Sequence, residues 1–394
     1  MLSPQNHLFS LPDGLCYLNG AYMSPLLRSA EAAAFEGVRE RRDPTRIGPA
    51  SFFEGADRVR ALFARLVEDA SASSRVSLVP AVSYAMATAA KTLEVGRGQR
   101  IVVLGDQFPS HVYPWRRLAA DAGAEVVTVA APSRLGTPGR GQTWNERLLD
   151  AIGPDAAVVA VPNVHWADGT VFDLEAVGRR ARDVGAALVV DGTQSVGALP
   201  LDLEAVRPDV LACAGYKWLL GPYGMGVAVW GERFEDARPL EETWIARAGS
   251  DDFAGLTDYR DEYAPGAVRF DVGERSNGVL LPWLEAGLRQ ILDWGVPEIQ
   301  ARCRALSDAI VEGVAPLGYR AEEASFRLCS GHASRAGHLV GLAPPPGADL
   351  EAVRRSLAER GVSVSVRSGA VRVSPHVYND ESDVEAFVDA LASV

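Results

Sequence analysis

Two apolar runs constrain this chain most, AAVVAV at residues 156–161 and AALVVD at residues 186–191. Each is continuous rather than alternating, the pattern of a strand buried on both faces inside a parallel sheet covered by helices. Further β-rich runs stand at residues 101–104, at Glu125–Val129 and at Val210–Ala214, and the helical stretches Tyr113–Ala122 and Leu174–Val184 separate several of them. Strands alternating with helices imply βαβ units. Upstream, EGADRVRALFARLVEDA (residues 54–70) puts Val59, Leu62, Phe63, Leu66 and Val67 on one helical face, and a second helix is expected from Tyr84 to about Leu93. Beyond about residue 290 the character changes to a helix at Val296–Val314, short strand-like runs, and helices near residues 349–360 and 383–393. That reads as a smaller α+β unit. Residues 343–348, with three consecutive prolines, read as a loop.

At 394 residues the chain can bury a large core without disulfide or metal. Hydrophobic content of 47% with 23% charged residues is that of a globular protein, and a net charge of -12 argues against nucleic-acid or anionic-membrane partners. The four cysteines, Cys16, Cys213, Cys303 and Cys329, form no CxxC pair, and the six histidines form no HExxH, so no metal site is expected. The opening MLSPQNHLFSLPDG has no charged segment leading into an apolar run, and no apolar stretch approaches a membrane span. The expectation is a cytoplasmic protein.

The chemistry concentrates in DGTQSVGALPLDLEAVRPDVLACAGYKWLLGPYGMG, from Asp191 to Gly226. Asp191 ends an apolar strand, where open α/β sheets bind ligands. Lys217 follows a second strand between Tyr216, Trp218 and a Gly/Pro-rich turn. A lysine in such an apolar, glycine-framed setting has the lowered pKa of an imine-forming amine. Taken singly, a lysine after a strand is more often a solvated edge residue and a strand-ending Asp often caps a helix. The pair, one βα unit apart, is much rarer by chance.

With these motifs the sequence resembles the class V aminotransferase family of fold-type I pyridoxal-phosphate enzymes, which takes in cysteine desulfurases, C–S lyases and isopenicillin-N epimerase-like proteins. The resemblance runs from Tyr17 to about Leu391. It implies an α/β fold with a large unit (residues 21–290) built on a mostly parallel seven-stranded sheet between helices, and a small α+β unit from residues 1–20 and 291–394. It also implies a homodimer with a shared active site. The implied cofactor is pyridoxal 5′-phosphate, held as a Schiff base on Lys217. Asp191 pairs with the pyridine nitrogen, Gln194 bonds the ring oxygen, and Tyr216 contacts the phosphate.

Other segments extend the resemblance. In PAVSYAMATAA, Val82 and Ser83 open a helix whose backbone N–H groups suit a phosphate, although Ser83 also reads as a plain N-cap. In DQFPSHVYPW, Phe108 stands where desulfurase-like relatives stack a histidine on the ring, and core packing is the alternative. VPNVHWADG places His165 at the crevice edge as a substrate-side group, with Trp166 where relatives have asparagine. YLNGAYMSPL gives Asn19 as a pocket-lining residue. In RFDVGERSN, a loop that reaches the partner's phosphate in family dimers, Glu274 stands where Thr is common, so the contact is expected from Ser276, Arg275 or backbone donors. RVSPHVYN puts Arg372 at the position that binds the substrate α-carboxylate.

Cysteine desulfurases carry a nucleophilic cysteine just upstream of that arginine. Here the loop is only Arg367-Ser368-Gly369-Ala370, and no cysteine follows Cys329. The first expectation is therefore a lyase, acting by C–S or other β/γ-elimination on an α-amino acid. An epimerase (with His165 or Tyr22 as second base) or an aminotransferase using the same Lys217 is the alternative. A nicotinamide-binding protein is disfavoured, since no GxGxxG follows an early strand.

Overall fold

The computed structural model describes residues 2–394. A short strand, β1 (Cys16–Tyr17), precedes seven strands of one sheet: β2 (Val76–Val79), β3 (Arg100–Leu104), β4 (Glu125–Val129), β5 (Ala156–Pro162), β6 (Ala187–Asp191), β7 (Val210–Ala214) and β8 (Gly226–Trp230). Their spatial order is β2-β8-β7-β6-β5-β3-β4. Only β8 runs antiparallel to its neighbours. Helices α1 (Arg28–Glu40) and α2 (Glu54–Leu66) come before this sheet; α3 (Val82–Thr92), α4 (Tyr113–Ala122), α5 (Arg140–Ala151), α6 (Leu174–Val184) and the single turn α7 (Leu203–Val206) follow β2 to β6 in turn. Strands β5 and β7 bury nearly every side chain, which is why their sequences run apolar without alternation.

Local chemistry sets the element ends. Asp173 caps α6 by accepting from Ala176 N at 3.1 Å, and Gly185 closes it in the left-handed conformation at φ 78°. The helix expected over 54–70 stops at Leu66 because Glu68 turns left-handed (φ 59°) and Asp69 caps a new turn through Ser71 N at 3.0 Å. The expected helices Tyr113–Ala122, Leu174–Val184 and Val296–Val314 coincide with observed ones.

The remainder is built on helices α8 (Leu280–Trp294), α9 (Val296–Val314), α10 (Leu350–Glu359) and α11 (Glu381–Ala392), with strands β9 (Val340–Leu342), β10 (Val362–Ser363), β11 (Ser365–Arg367) and β12 (Ala370–Val373). A three-stranded sheet runs β11-β12-β9, and β1 pairs with β10, which ties the N-terminus to this region. Helix α8 packs on α1 and α2, and the expected division at residues 290 and 291 falls inside it.

The chain reverses its sheet order between β3 and β5, with β4 on one side of β3 and β5 on the other. Open α/β sheets place ligands at such a switch point, beyond the carboxyl ends of the strands. The turns after β3, β5, β6 and β7 all open there.

Candidate active site

A cavity of about 230 Å³ lies at those strand ends, lined among others by Ser83, Phe108, Trp166, Asp191, Gln194, Tyr216 and Lys217. Lys217 is carried by the turn after β7. Gly215 opens that turn because any Cβ there would meet the Met225 carbonyl at 2.4 Å, and Gly221 N closes it on Gly215 O at 2.8 Å. The Lys217 amine is buried, 5.5 Å from the Tyr216 ring centroid and 5.7 Å from that of Phe108. Burial, then the neighbouring Arg372 charge, lowers its pKa to about 8, with Asp191 opposing and Arg367 adding to the shift.

Asp191 ends β6, its Oδ1 accepting from Thr193 N at 2.9 Å. Thr193 is anchored in turn, its hydroxyl oxygen accepting from Ala214 N at 3.1 Å. Gln194 lies one residue further, its Nε2 donating to Ala21 O at 3.1 Å and its Oε1 accepting from Trp218 Nε1 at 2.9 Å. The Tyr216 ring lies 4.8 Å from that of Tyr223, and burial holds its hydroxyl above the usual range.

Across the cavity, Val82 and Ser83 are the first residues of α3. Its N-cap is Ala81, whose side chain cannot cap, so among the described residues no side chain takes the N–H groups of Val82 and Ser83 beside the cavity, unlike α6. Tyr84 N donates to Ala81 O at 3.0 Å. Phe108 is 39% exposed, which fits a cavity wall rather than a core residue, and stands edge-on to Trp166 at 5.6 Å.

Arg372 sits behind this wall on β12. It is buried, donating to Trp166 O at 2.8 Å and to Ser365 Oγ at 3.4 Å, while its Nε has no partner. Among the described residues no carboxylate pairs with it. Burial and the neighbouring Arg367 charge push its pKa down to about 10. Asn19 stands one step further back, its Oδ1 accepting from Ser365 Oγ at 2.9 Å.

Two residues lie away from this cavity, of which Ser276 was expected at the partner's phosphate instead. His165, expected on the substrate side, lines a second cavity instead, with Nε2 3.2 Å from Gly105 O and Nδ1 3.3 Å from Asp168 Oδ1. The turn after β5 gives the first cavity Trp166 in its place, held by its Nε1 donating to Asp106 O at 2.7 Å. Ser276 lies in a separate groove with Phe52 and Trp244, its hydroxyl donating to Phe52 O. Its neighbour Arg275 turns inward onto Asp271 at 2.8 Å, leaving Glu274 and Asn277 exposed on that loop. Residues not anticipated at the site include Thr193, Tyr223, Gln107 and Ser110 in the cavity lining, and Trp218 behind Gln194. Only Trp218 left a signal, a donor-only indole directly after the lysine.

These groups suit an aromatic phosphate ester. The helix N–H groups of Val82 and Ser83 would suit the phosphate, the Asp191 carboxylate a ring nitrogen, and the desolvated Lys217 amine an aldehyde. The model of the family described as "Aminotransferase class-V" matches residues 50–387. The chain belongs to the class V aminotransferase family. Isopenicillin N epimerase of Streptomyces clavuligerus is 26% identical over 80% of this chain and 79% of its own length. A probable cysteine desulfurase of Pyrococcus abyssi (strain GE5 / Orsay) is 28% identical over 75% and 72%. A solved structure of the C–S lyase C-DES, with glycine covalently linked to its PLP cofactor, superposes with a TM-score of 0.85 at 19% identity, over 99% of both chains. The fold of this class V chain is therefore fold type I, and its cofactor is pyridoxal 5′-phosphate.

In this class V chain the residues between Arg367 and Ala370 form a two-residue hairpin. Arg367 faces Ala370, and Ser368 (φ 48°) and Gly369 (φ 77°) are both left-handed, the geometry that makes the tightest antiparallel turn. No cysteine lines the Lys217 cavity. Burial raises the pKa of Cys16, Cys213 and Cys303, and Cys329 is exposed with its Sγ 3.1 Å from Arg179 Nη2.

Proposed function

We propose that this enzyme is a C–S lyase acting on an S-substituted α-amino acid. The observation that carries this reading is the lining of the Lys217 cavity, which includes no cysteine and no histidine, with Asp191 as its one carboxylate. Without a thiol, sulfur has no protein acceptor. Without a histidine or a second carboxylic acid in the lining, a leaving group that departs with little protonation is favoured. A thiol, with a pKa of about 8.5, does so readily, whereas hydroxide, from water of pKa about 15.7, does not.

When bound, the cofactor supplies an aldehyde for the amine and an electron-withdrawing ring for the charge that develops at Cα. Arg372, buried with no acid, takes the α-carboxylate in place of the missing counter-ion. Lys217, with its pKa near 8, takes the Cα proton. The Cβ–S bond breaks with its electron pair leaving on sulfur, and water completes the products: a thiol, a 2-keto acid and ammonium.

A second copy of the chain completes the site in this reading. Phe35, Val38, Trp244 and Phe253 are exposed, and Phe52 packs on Trp244 and Phe253, an apolar surface of the kind that marks interfaces. Sedimentation should return a dimer. Four free cysteines fit a reducing compartment.

The test is incubation of cofactor-loaded enzyme with a panel of S-substituted cysteines, where stoichiometric thiol and pyruvate are expected. Solvent deuterium entering Cα with loss of optical rotation and no keto acid would replace elimination with epimerisation. His165 being turned away leaves Tyr22 as the second base for that reaction.

A further inference from the structure

Gln194 is gripped from both its side chain and its backbone. Its Oε1 accepts from Trp218 Nε1 at 2.9 Å, its Nε2 donates to Ala21 O at 3.1 Å, and its main-chain carbonyl accepts from His338 Nε2 at 2.7 Å. An indole nitrogen only donates and a carbonyl oxygen only accepts, so the Trp218 and Ala21 bonds together decide which end of the amide is the oxygen. With Oε1 committed to Trp218 and one N–H to Ala21, the second N–H of Nε2 is what the side chain has left to offer the cavity it lines.

Trp218 is itself immobilised. It is buried, edge-on to His338 with ring centroids 4.5 Å apart, and tilted on His376 at 5.6 Å. His338 presents Nε2 to a carbonyl and Nδ1 to the Gln300 amide nitrogen at 3.3 Å, which the neutral imidazole with hydrogen on Nε2 satisfies. Burial lowers its pKa to about 4, so this donor stays unchanged through the neutral and alkaline range.

We propose that Trp218 is a positioning residue that acts through Gln194, fixing an N–H rather than an oxygen toward the ring oxygen of the bound cofactor. This rests on the cofactor reading of Gln194 given above. Without the indole N–H the amide keeps only its Ala21 contact, and its remaining N–H is aimed less firmly at the ring oxygen. Charged and titratable groups around the site, Asp191, Tyr216, Lys217 and Arg372, are untouched by the change, as are His338 and His376 against the ring.

The experiment uses Trp218→Phe, which keeps an aromatic ring against both histidines. Two readouts besides turnover are followed: the dissociation constant for pyridoxal 5′-phosphate, and the pH midpoint of the visible band of the loaded protein. The constant should rise roughly 3- to 10-fold, and the midpoint should rise by about half to one pH unit, because a donor on the shared oxygen favours the unprotonated form. Gln194→Ala should shift both at least as far, and Trp218→Phe added to Gln194→Ala should shift neither further. Trp218→Tyr, also lacking the indole N–H, is the second variant should the first not fold. Wild-type values in a folded Trp218 variant, or an undiminished effect in the Gln194→Ala background, would overturn the proposal. A wild-type protein that takes up no cofactor and shows no visible band would instead overturn the reading beneath it.

Discussion

Arg372 and Arg275 are equally buried, each 2% exposed, yet their surroundings differ. Arg275 meets Asp271, which also pairs with Arg60 and accepts from Leu78 N at 2.6 Å, so two guanidiniums and an amide close around one carboxylate. Among the described residues Arg372 meets a carbonyl and a hydroxyl and no carboxylate, and in both arginines the Nε–H is without a partner. A buried charge without a counter-ion is costly. The fold satisfies that cost internally at the Asp271 cluster and leaves it open beside Lys217. The difference separates a guanidinium paired within the fold from one left without a counter-ion, the one proposed above for the α-carboxylate.

The sharpest way to break this contrast is to remove the acid. Asp271→Ala leaves Arg60 and Arg275 uncompensated and should cost about 3–5 kcal/mol in denaturant unfolding of the cofactor-free protein. Arg372→Met should behave oppositely. Removing an unpaired buried charge leaves the unfolding midpoint level or raised, whereas kcat/KM for the amino-acid substrate should fall about 10- to 100-fold. A stability loss from Arg372→Met as large as that from Asp271→Ala would erase the distinction.

A subtler consequence reaches Lys217. In the cofactor-free protein its pKa is about 8 against 10.5 for the free side chain. Between those values the unfolded chain binds a proton that the folded chain does not, so this residue makes stability rise with pH across that window. Lys217→Met should therefore be more stable than wild type below about pH 8, with the gap closing toward pH 10.5, as read from melting temperatures in a pH series. Arg372→Met should narrow the same gap, because its charge is the largest cationic contribution to the shift.

Much of this was legible because the segment from Asp191 to Gly226 is nearly contiguous strand and turn, so residues that meet in space are also close in sequence. β7 and three helices fall where their patterns predict. What was not legible depends on which way a side chain leaves a turn. His165 and Trp166 are adjacent, and only the path of the chain after β5, clasped to Asp106 O, decides that the indole enters the Lys217 cavity while the imidazole faces Gly105 and Asp168. Arg275 poses the same problem at longer range. Its i,i+4 spacing to Asp271 is readable, but Arg60, which completes the cluster, comes from α2. Helix α8 was not anticipated, and it ends at Trp294, close to the change of character beyond about residue 290.

Two serines offer the smallest and most specific test, since both were expected at a phosphate. Ser83 is exposed at the free N-terminus of α3 and lines the Lys217 cavity, whereas the Ser276 hydroxyl is spent on the Phe52 carbonyl beneath the loop that Arg275 anchors. Ser276→Ala should cost about 1 kcal/mol of stability, the usual net worth of one hydrogen bond, with no change in affinity for pyridoxal 5′-phosphate. Ser83→Ala should leave stability unchanged, because Ala81 and the α3 backbone already define that turn, and should weaken the cofactor about 3- to 10-fold. Equilibrium dialysis of the cofactor alongside thermal unfolding reads both quantities on both variants. If the two effects exchanged places, Ser276 would be the anion contact and the 273–277 loop would be the functional one, with its inward Arg275 serving to aim it.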